Sequence, residues 1–292
     1  MIWSRLRERG VGVFFLINAS TSILIVLLVF AFLAKEGFPI FKSVSLSNLA
    51  GLRWYPTSMQ REEFGMVPLI AGSVLVTVMA IVISLPFGVI CAVYIAEIAG
   101  AREREILKPF IELLAGIPSV VLGFFGLVVL GPVVKWVFHL DTGLCALTGS
   151  LLLALMAIPT IVTISEDAIR SVPRSYREAS LALGASHLET TWRVTVPAAL
   201  SGIFAAVMLG MGRVIGETMA VMMCTGNAAI IPKSPFDSCR TMTATIAAEM
   251  GEVVFGGTHY QALFCVGIVL LLMTLVINIV AQRVLGKYQV PT

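Results

Sequence analysis

Arg213 and Glu217 sit four residues apart inside residues 201–224, a stretch that is otherwise apolar. A charge at the centre of a hydrocarbon layer costs about 2.5–3.5 kcal/mol, so both must face protein or water. A guanidinium offers a fork of donors matched to the oxygens of a phosphate-like anion, and a nearby carboxylate can hold that fork when no anion is present. Thr218 adds a hydroxyl beside them. On a continuous helix the spacing places the charges on one face as an i, i+4 pair. The same pair equally suits a structural lock between helices, and both readings stay open at this level.

Other chemistries lack their residues. The chain contains no G-x4-G-K-S/T loop, so it cannot hydrolyse ATP itself, and no HExxH, GxSxG or pair of intramembrane aspartates. His187, close to Gly184, has no Ser, Cys or carboxylate at triad spacing and reads as an interfacial polar residue. Cys91, Cys145, Cys224, Cys239 and Cys265 show neither CxxC nor Cys/His ligand spacing, so they read as small packing residues and imply no metal. A net charge of +3, with Lys and Arg scattered between apolar runs, argues against nucleic acid as a partner.

The elements that position these residues are membrane spans. Hydrophobic residues make up 58% of the chain and charged residues 13%, more apolar surface than a soluble fold can hide. Windows of about 20 apolar residues, the length that crosses a bilayer, fall at 11–33, 67–95, 109–134, 143–164, 201–224 and 261–284. The expected fold is all-α with six transmembrane helices. Residues 1–66 form an uncleaved anchor and extracytoplasmic segment, 67–284 a transmembrane core, and 285–292 a tail. Positive loops stay cytoplasmic. With both ends inside, Arg5, Arg7, Arg9, Arg102, Arg104, Lys108, Arg170, Arg174, Arg177, Arg193, Arg283 and Lys287 face the cytoplasm, against Lys35, Lys42, Arg53, Arg61, Lys135, Lys233 and Arg240 outside. Trp54 and Tyr55 suit a membrane interface, and residues 241–252 suit a short helix. Gly116, Pro118, Gly123, Gly126, Gly212 and Gly216 allow kinks and close helix approach.

The inside loop 165–200 is the most polar cytoplasmic segment. Tyr176 to Leu183 has helix-forming composition, Gly184 supplies a left-handed helix stop, and Ser186 can cap a second helix. That predicts a helical hairpin with Ala182, Leu183 and Ala185 as apolar contacts and Glu178 as a polar clamp, a knob for a groove on a partner. At Gly184 a side chain is expected to clash.

Within the loop, Glu178-Ala179-Ser180 is followed after three residues by Gly184, then after nine by Val194, with Val196 and Pro197 closing the pattern. This spacing resembles the EAA loop of ABC importer permeases, with Ser180 and Val196 as conservative departures. Three further strings resemble the phosphate-specific branch: WYP at 54–56 with FGMVPL at 64–69, LLAGIPSVVLGF at 113–124, and GRVIGETMAV at 212–221. TMTATIAAEMGE at 241–252 is similar to the PstC member of the phosphate permease pair. The resemblance implies a type I importer architecture in the inner membrane of a prokaryote. Its coupling residues are Glu178, Ala179, Gly184, Ala185 and Pro197, and its substrate path includes Arg213, Glu217 and Thr218. It also implies a second related permease, a cytoplasmic ATPase dimer that uses the ATP, an extracytoplasmic phosphate-binding protein and surrounding lipid. This chain would bind no cofactor. Sulfate or molybdate as cargo, and a proton-coupled transporter with Glu217 as carrier, are the alternatives.

Overall fold

The computed structural model describes residues 2–58 and 62–286; Arg61 and the last six residues of the expected tail, Lys287 among them, lie outside these. The chain is helical, with α1 (Ile2–Gly37), the short α2 (Ile40–Ser43) and α3 (Leu46–Leu49), and α4 (Val67–Val93) ending in a π-turn at Tyr94–Ile98. Then come α5 (Ala101–Gly116), α6 (Ser119–Phe125) running through a π-turn into α7 (Gly131–Phe138), and α8 (Ala146–Ser171). The remainder is α9 (Arg174–Ala182), α10 (His187–Thr190), α11 (Val196–Ala198), α12 (Leu200–Gly216), α13 (Met219–Cys224), α14 (Met242–Glu249) and α15 (Thr258–Gly286). Two-residue strands β1 (Trp54–Tyr55) and β2 (Glu63–Phe64) pair antiparallel, Trp54 opposite Phe64.

Among the described residues five helices are long and apolar enough to span a bilayer; Leu200–Gly216 meets that measure together with His187–Ala198, from which it bends away by 67°. Two expected spans are not continuous helices. The stretch 109–134 breaks at Ile117 and Pro118, where proline lacks an N–H and pushes the preceding residue out of the helical region. Residues 109–116 therefore belong to the charged α5, and the spanning segment is Ser119–Phe138. The stretch 201–224 breaks after Gly216, and α13 is a separate helix. Pattern averaging over 20 residues passes over both breaks because the flanking residues are equally apolar.

α8 is the central helix, apolar on nearly every side and wrapped by protein. α4 and α12 close on it at one point: a Cβ at Gly88 or Gly210 would lie 2.7 or 2.9 Å from the Ile161 side chain. Small residues at that contact let three backbones approach closely, which in lipid is the main source of helix association. Around Ile161 the middle core gathers Val76, Leu122, Leu153, Val214 and Val221. By contrast α1 is exposed and apolar from Val11 to Phe32 and meets the rest near its end, where Phe32 stands edge-on to Phe264 at 5.5 Å. Such a surface suits lipid.

Trp54 departs from expectation. It is buried in the outer core among Leu69, Met242 and Leu263, not at a lipid interface; its neighbour Tyr55 is the exposed one. The buried cysteines Cys145, Cys224, Cys239 and Cys265 fill packing positions.

Near the hairpin end of α8, Glu166 is 1% exposed and flanked by Lys108 of α5 at 3.1 Å and Arg170 at 3.3 Å. The cations are 33% and 40% exposed, so they keep water if the carboxylate is lost, whereas Glu166 cannot. Glu166→Gln should therefore destabilise mildly. Lys108→Met with Arg170→Met strands the carboxylate and should cost about 3–5 kcal/mol, the usual loss when a buried charge is left unpaired. Unfolding midpoints in detergent should rank wild type, Glu166→Gln, then the double variant.

Candidate functional site

Three polar assemblies are spaced along the helical core. The first is the hairpin. α9 ends in a Schellman arrangement: Ala185 N–H donates to Ser180 O, Gly184 N–H donates to Leu181 O, and Gly184 takes φ +86°. Ser186 then caps α10 through a reciprocal box, its Oγ accepting from Glu189 N–H while Glu189 Oε2 accepts from Ser186 N–H. These bonds hold the Glu189 carboxyl below the usual carboxylate range, with Ser186's backbone N–H the largest cause. A depressed pKa makes the cap's contribution complete above the unfolded value, fading as pH falls through the folded one. Ser180 and Thr190 hydroxyls, 2.9 Å apart, join the two arms.

Glu178, Ala179, Ala182 and Pro197 are exposed, Leu183 is 89% exposed, and Ala185 is half-buried. Tyr176, Leu188 and Trp192 are exposed on the same hairpin and add apolar surface to it. The expected clash at Gly184 is absent: a Cβ there meets nothing within 4 Å, and the requirement for glycine comes from φ alone.

The second assembly lies where α12 stops. Glu217 is extended, with φ −70° and ψ 133°, so Arg213 and Glu217 do not form the expected helical pair, and among the described residues Arg213 makes no ion pair. Glu217 Oε1 instead turns toward α13, 3.4 Å from Ala220 N–H, and its carbonyl accepts from Thr243 Oγ1 at 2.8 Å. Arg213 is exposed in the last turn of α12, where a cation complements the helix dipole. Thr218, half-buried, donates to Gly216 O.

Sequence reasoning missed the hydroxyls that meet Glu217. Ser73 and Thr77 of α4, with Thr241 and Thr243 at the start of α14, line with it a cavity of about 10 Å³, room for about one water. Ser73 Oγ accepts from Met242 N–H, tying α14 to α4. Hydroxyls within apolar runs are a weak signal individually, and only the fold brings these four together. The arrangement is a closed polar seam at a helix break, the kind of irregular backbone a membrane protein tolerates where it lines a pathway.

The third assembly was not anticipated. Glu249 accepts from Trp54 Nε1 at 3.1 Å and Arg240 Nη1 at 2.6 Å, and its Oε2 lies 2.8 Å from His259 Nε2. One carboxylate thus joins β1, the loop before α14, α14 and α15. It borders a cavity of about 640 Å³ lined also by Asn227 and Glu252.

Residues 84–287 match the family described as binding-protein-dependent transport system inner membrane component. The chain is 42% identical over 246 residues to a probable ABC transporter permease protein, YqgH, of Bacillus subtilis, covering 83% of this chain and 79% of that one. It is 34% identical to the phosphate transport system permease protein PstC of Mesorhizobium japonicum, covering 84% and 80%. Among solved structures it is similar to a bacterial alginate ABC transporter chain (TM-score 0.64, 15% identity, 92% and 93% covered). The MetNI methionine ABC transporter has a similar chain (TM-score 0.58, 20% identity, 77% and 95%). At these identities the solved structures establish the fold, the architecture of ABC importer permeases.

Since open space surrounds Gly184, the cost of substitution should follow backbone preference and not side-chain size. Gly184→Asn, a residue that tolerates the left-handed region, should leave stability nearly unchanged, while Gly184→Val should cost about 1–2 kcal/mol and loosen the hairpin. Limited proteolysis between residues 174 and 198 should distinguish them, with the Val variant cut faster.

Proposed function

The chain belongs to the binding-protein-dependent transport system inner membrane components, and from that membership we propose that it is the permease subunit of an ATP-driven phosphate importer. The observation that carries the coupling part is the hairpin at 174–198: internally capped, braced, and presenting exposed apolar surface. A groove on a cytoplasmic ATPase is the complementary surface, with Glu178, Ala179, Gly184, Ala185 and Pro197 at the contact. ATP is consumed there, because this chain carries no P-loop.

Phosphate as cargo is supported by relatives named phosphate transport system permease protein PstC at 29–34% identity over most of the chain. The interrupted helix fits an anion: Arg213 is an uncommitted guanidinium beside the break, and Glu217 with the Ser73, Thr77, Thr241 and Thr243 hydroxyls forms a seam that must part for a solute to pass. Thr218 stands at the same break. One chain supplies one hairpin, so a second related permease completes the pathway, an ATPase dimer sits below, and an extracytoplasmic phosphate-binding protein delivers the solute. The excess of Lys and Arg on the hairpin side supports a cytoplasmic location for that side and both termini, with the chain in the inner membrane of a prokaryote.

The deciding experiment is uptake of labelled phosphate into vesicles holding the purified complex. Uptake should require ATP inside the compartment that holds the ATPase, and excess unlabelled sulfate or molybdate should not compete. Competition by either reassigns the cargo, and uptake driven by a proton gradient without ATP removes the ATPase from the mechanism.

Because Arg213 and Glu217 are not paired, a single change is informative. Arg213→Gln should leave assembly intact and lower phosphate uptake about 10–100-fold, the worth of one charge-assisted hydrogen bond of about 1.5–3 kcal/mol. Adding Glu217→Gln should not restore transport. Substantial uptake by the double variant would show that the charges serve packing alone.

A further inference from the structure

Of the hydrogen bonds and ion pairs made by α9 side chains among the described residues, those of Arg177 alone reach the transmembrane core. Its Nε donates to Glu97 at 3.1 Å and its Nη2 donates to the same carboxylate at 2.5 Å. The remaining donors reach the end of α8, Nη2 to Ile169 O and Nη1 to Val172 O, both at 3.0 Å. The guanidinium therefore donates to carbonyls at the end of α8 and grips a carboxylate on the π-turn that ends α4. Arg177 is 21% exposed and Glu97 14%, so water screens this bridge far less than a surface pair.

The two anchorage points are those that matter for movement. α8 is the central helix onto which α4 and α12 close. α4 runs from the π-turn back to Thr77 and Ser73, which line the seam at Glu217, with Pro86 between the two ends. At about 1.5 Å per residue, Glu97 and Ser73 are roughly 36 Å apart along one helix. α4 packs on α8 both before Pro86, through Val76 and Ala80, and after it, through Ala92 and Val93, so the two parts follow α8 together, and packed interfaces shift between discrete arrangements. The hairpin itself is stiffened by its Schellman turn, its capping box and the Ser180–Thr190 bond. Without Arg177, no side-chain hydrogen bond or ion pair among the described residues would join α9 to the core.

We propose that the Arg177–Glu97 bridge is the strut that carries displacement of the hairpin into α4 and so to the Glu217 seam, with Arg177 and Glu97 as positioning residues. The inference rests on the importer reading above. Bidentate geometry resists rotation as well as separation, which a point charge on a flexible stem does not.

The test uses the complex reconstituted in vesicles, with labelled phosphate uptake and ATP hydrolysis measured on the same samples. Wild type must first retain an ATPase and take up phosphate with ATP; failure there sinks the importer reading and not the strut. Given that, Glu97→Gln and Arg177→Gln should keep wild-type amounts of ATPase through purification and continue to hydrolyse ATP. The phosphate moved per ATP should fall at least fivefold. Arg177→Lys, which restores the charge without the fork, should recover part of that ratio. A smaller fall in both Gln variants, loss of the ATPase from either complex, or no recovery with Lys overturns the strut. A residue that only stabilised the fold would lower uptake and hydrolysis together and leave their ratio unchanged.

Discussion

The contact on which the rest of the structure depends is the closure of α4 and α12 on α8 at Ile161. In a bilayer, lipid tails are as apolar as the helices, so association comes from close packing and polar contacts instead of expulsion of water. Gly88 and Gly210 provide that closeness by presenting bare backbone to one side chain. Once α8 is enclosed, the ends of its neighbours are fixed: α4 delivers Ser73 and Thr77 to one level and Glu97 to another, and α12 brings its terminus at Gly216 beside them. The close contacts of Gly123 with Met223 and Gly126 with Cys224 then seat α13 on α6 and the π-turn that follows it.

Enclosure also explains why so few polar groups hold so much together. Acidic side chains occur at successive levels, Glu97 and Glu166 near the hairpin, Glu217 at the helix break, and Glu249 at the far end. Away from water each must find donors, and an unmet carboxylate costs several kcal/mol. Except at Glu217, at least one donor comes from an element remote in the chain, so each of those carboxylates selects one arrangement of helices. At Glu217 the arrangement is loosest: one long contact to a backbone N–H and a few hydroxyls around a cavity the size of a water. It is the contact that parts at least cost, whereas Glu97 and Glu249 are held by short bonds to arginine.

The hairpin was legible, although α9 begins at Arg174 and not at Tyr176. Its helix, its left-handed stop at Gly184 and its cap at Ser186 depend on bonds spanning no more than about five positions, so they are written into local order. The number and rough placement of spans were legible too, because hydrocarbon thickness sets a length that composition must fill. What misled was continuity. A window that averages hydropathy cannot see that Pro118 and Glu217 end helices, so Arg213 and Glu217 looked like a pair on one face when the backbone between them turns away.

The sequence by itself determined that this chain is a helical membrane protein with a protruding capped hairpin, since apolar length and local capping need no knowledge of neighbours. Only tertiary structure decided which charges meet. Trp54 and Glu249 are 195 residues apart and Arg177 and Glu97 are 80 apart, and nothing in their local context distinguishes them from other polar residues of the loops. Their pairing follows from helix packing around α8, which brings the donors within reach and excludes the water that would otherwise satisfy them.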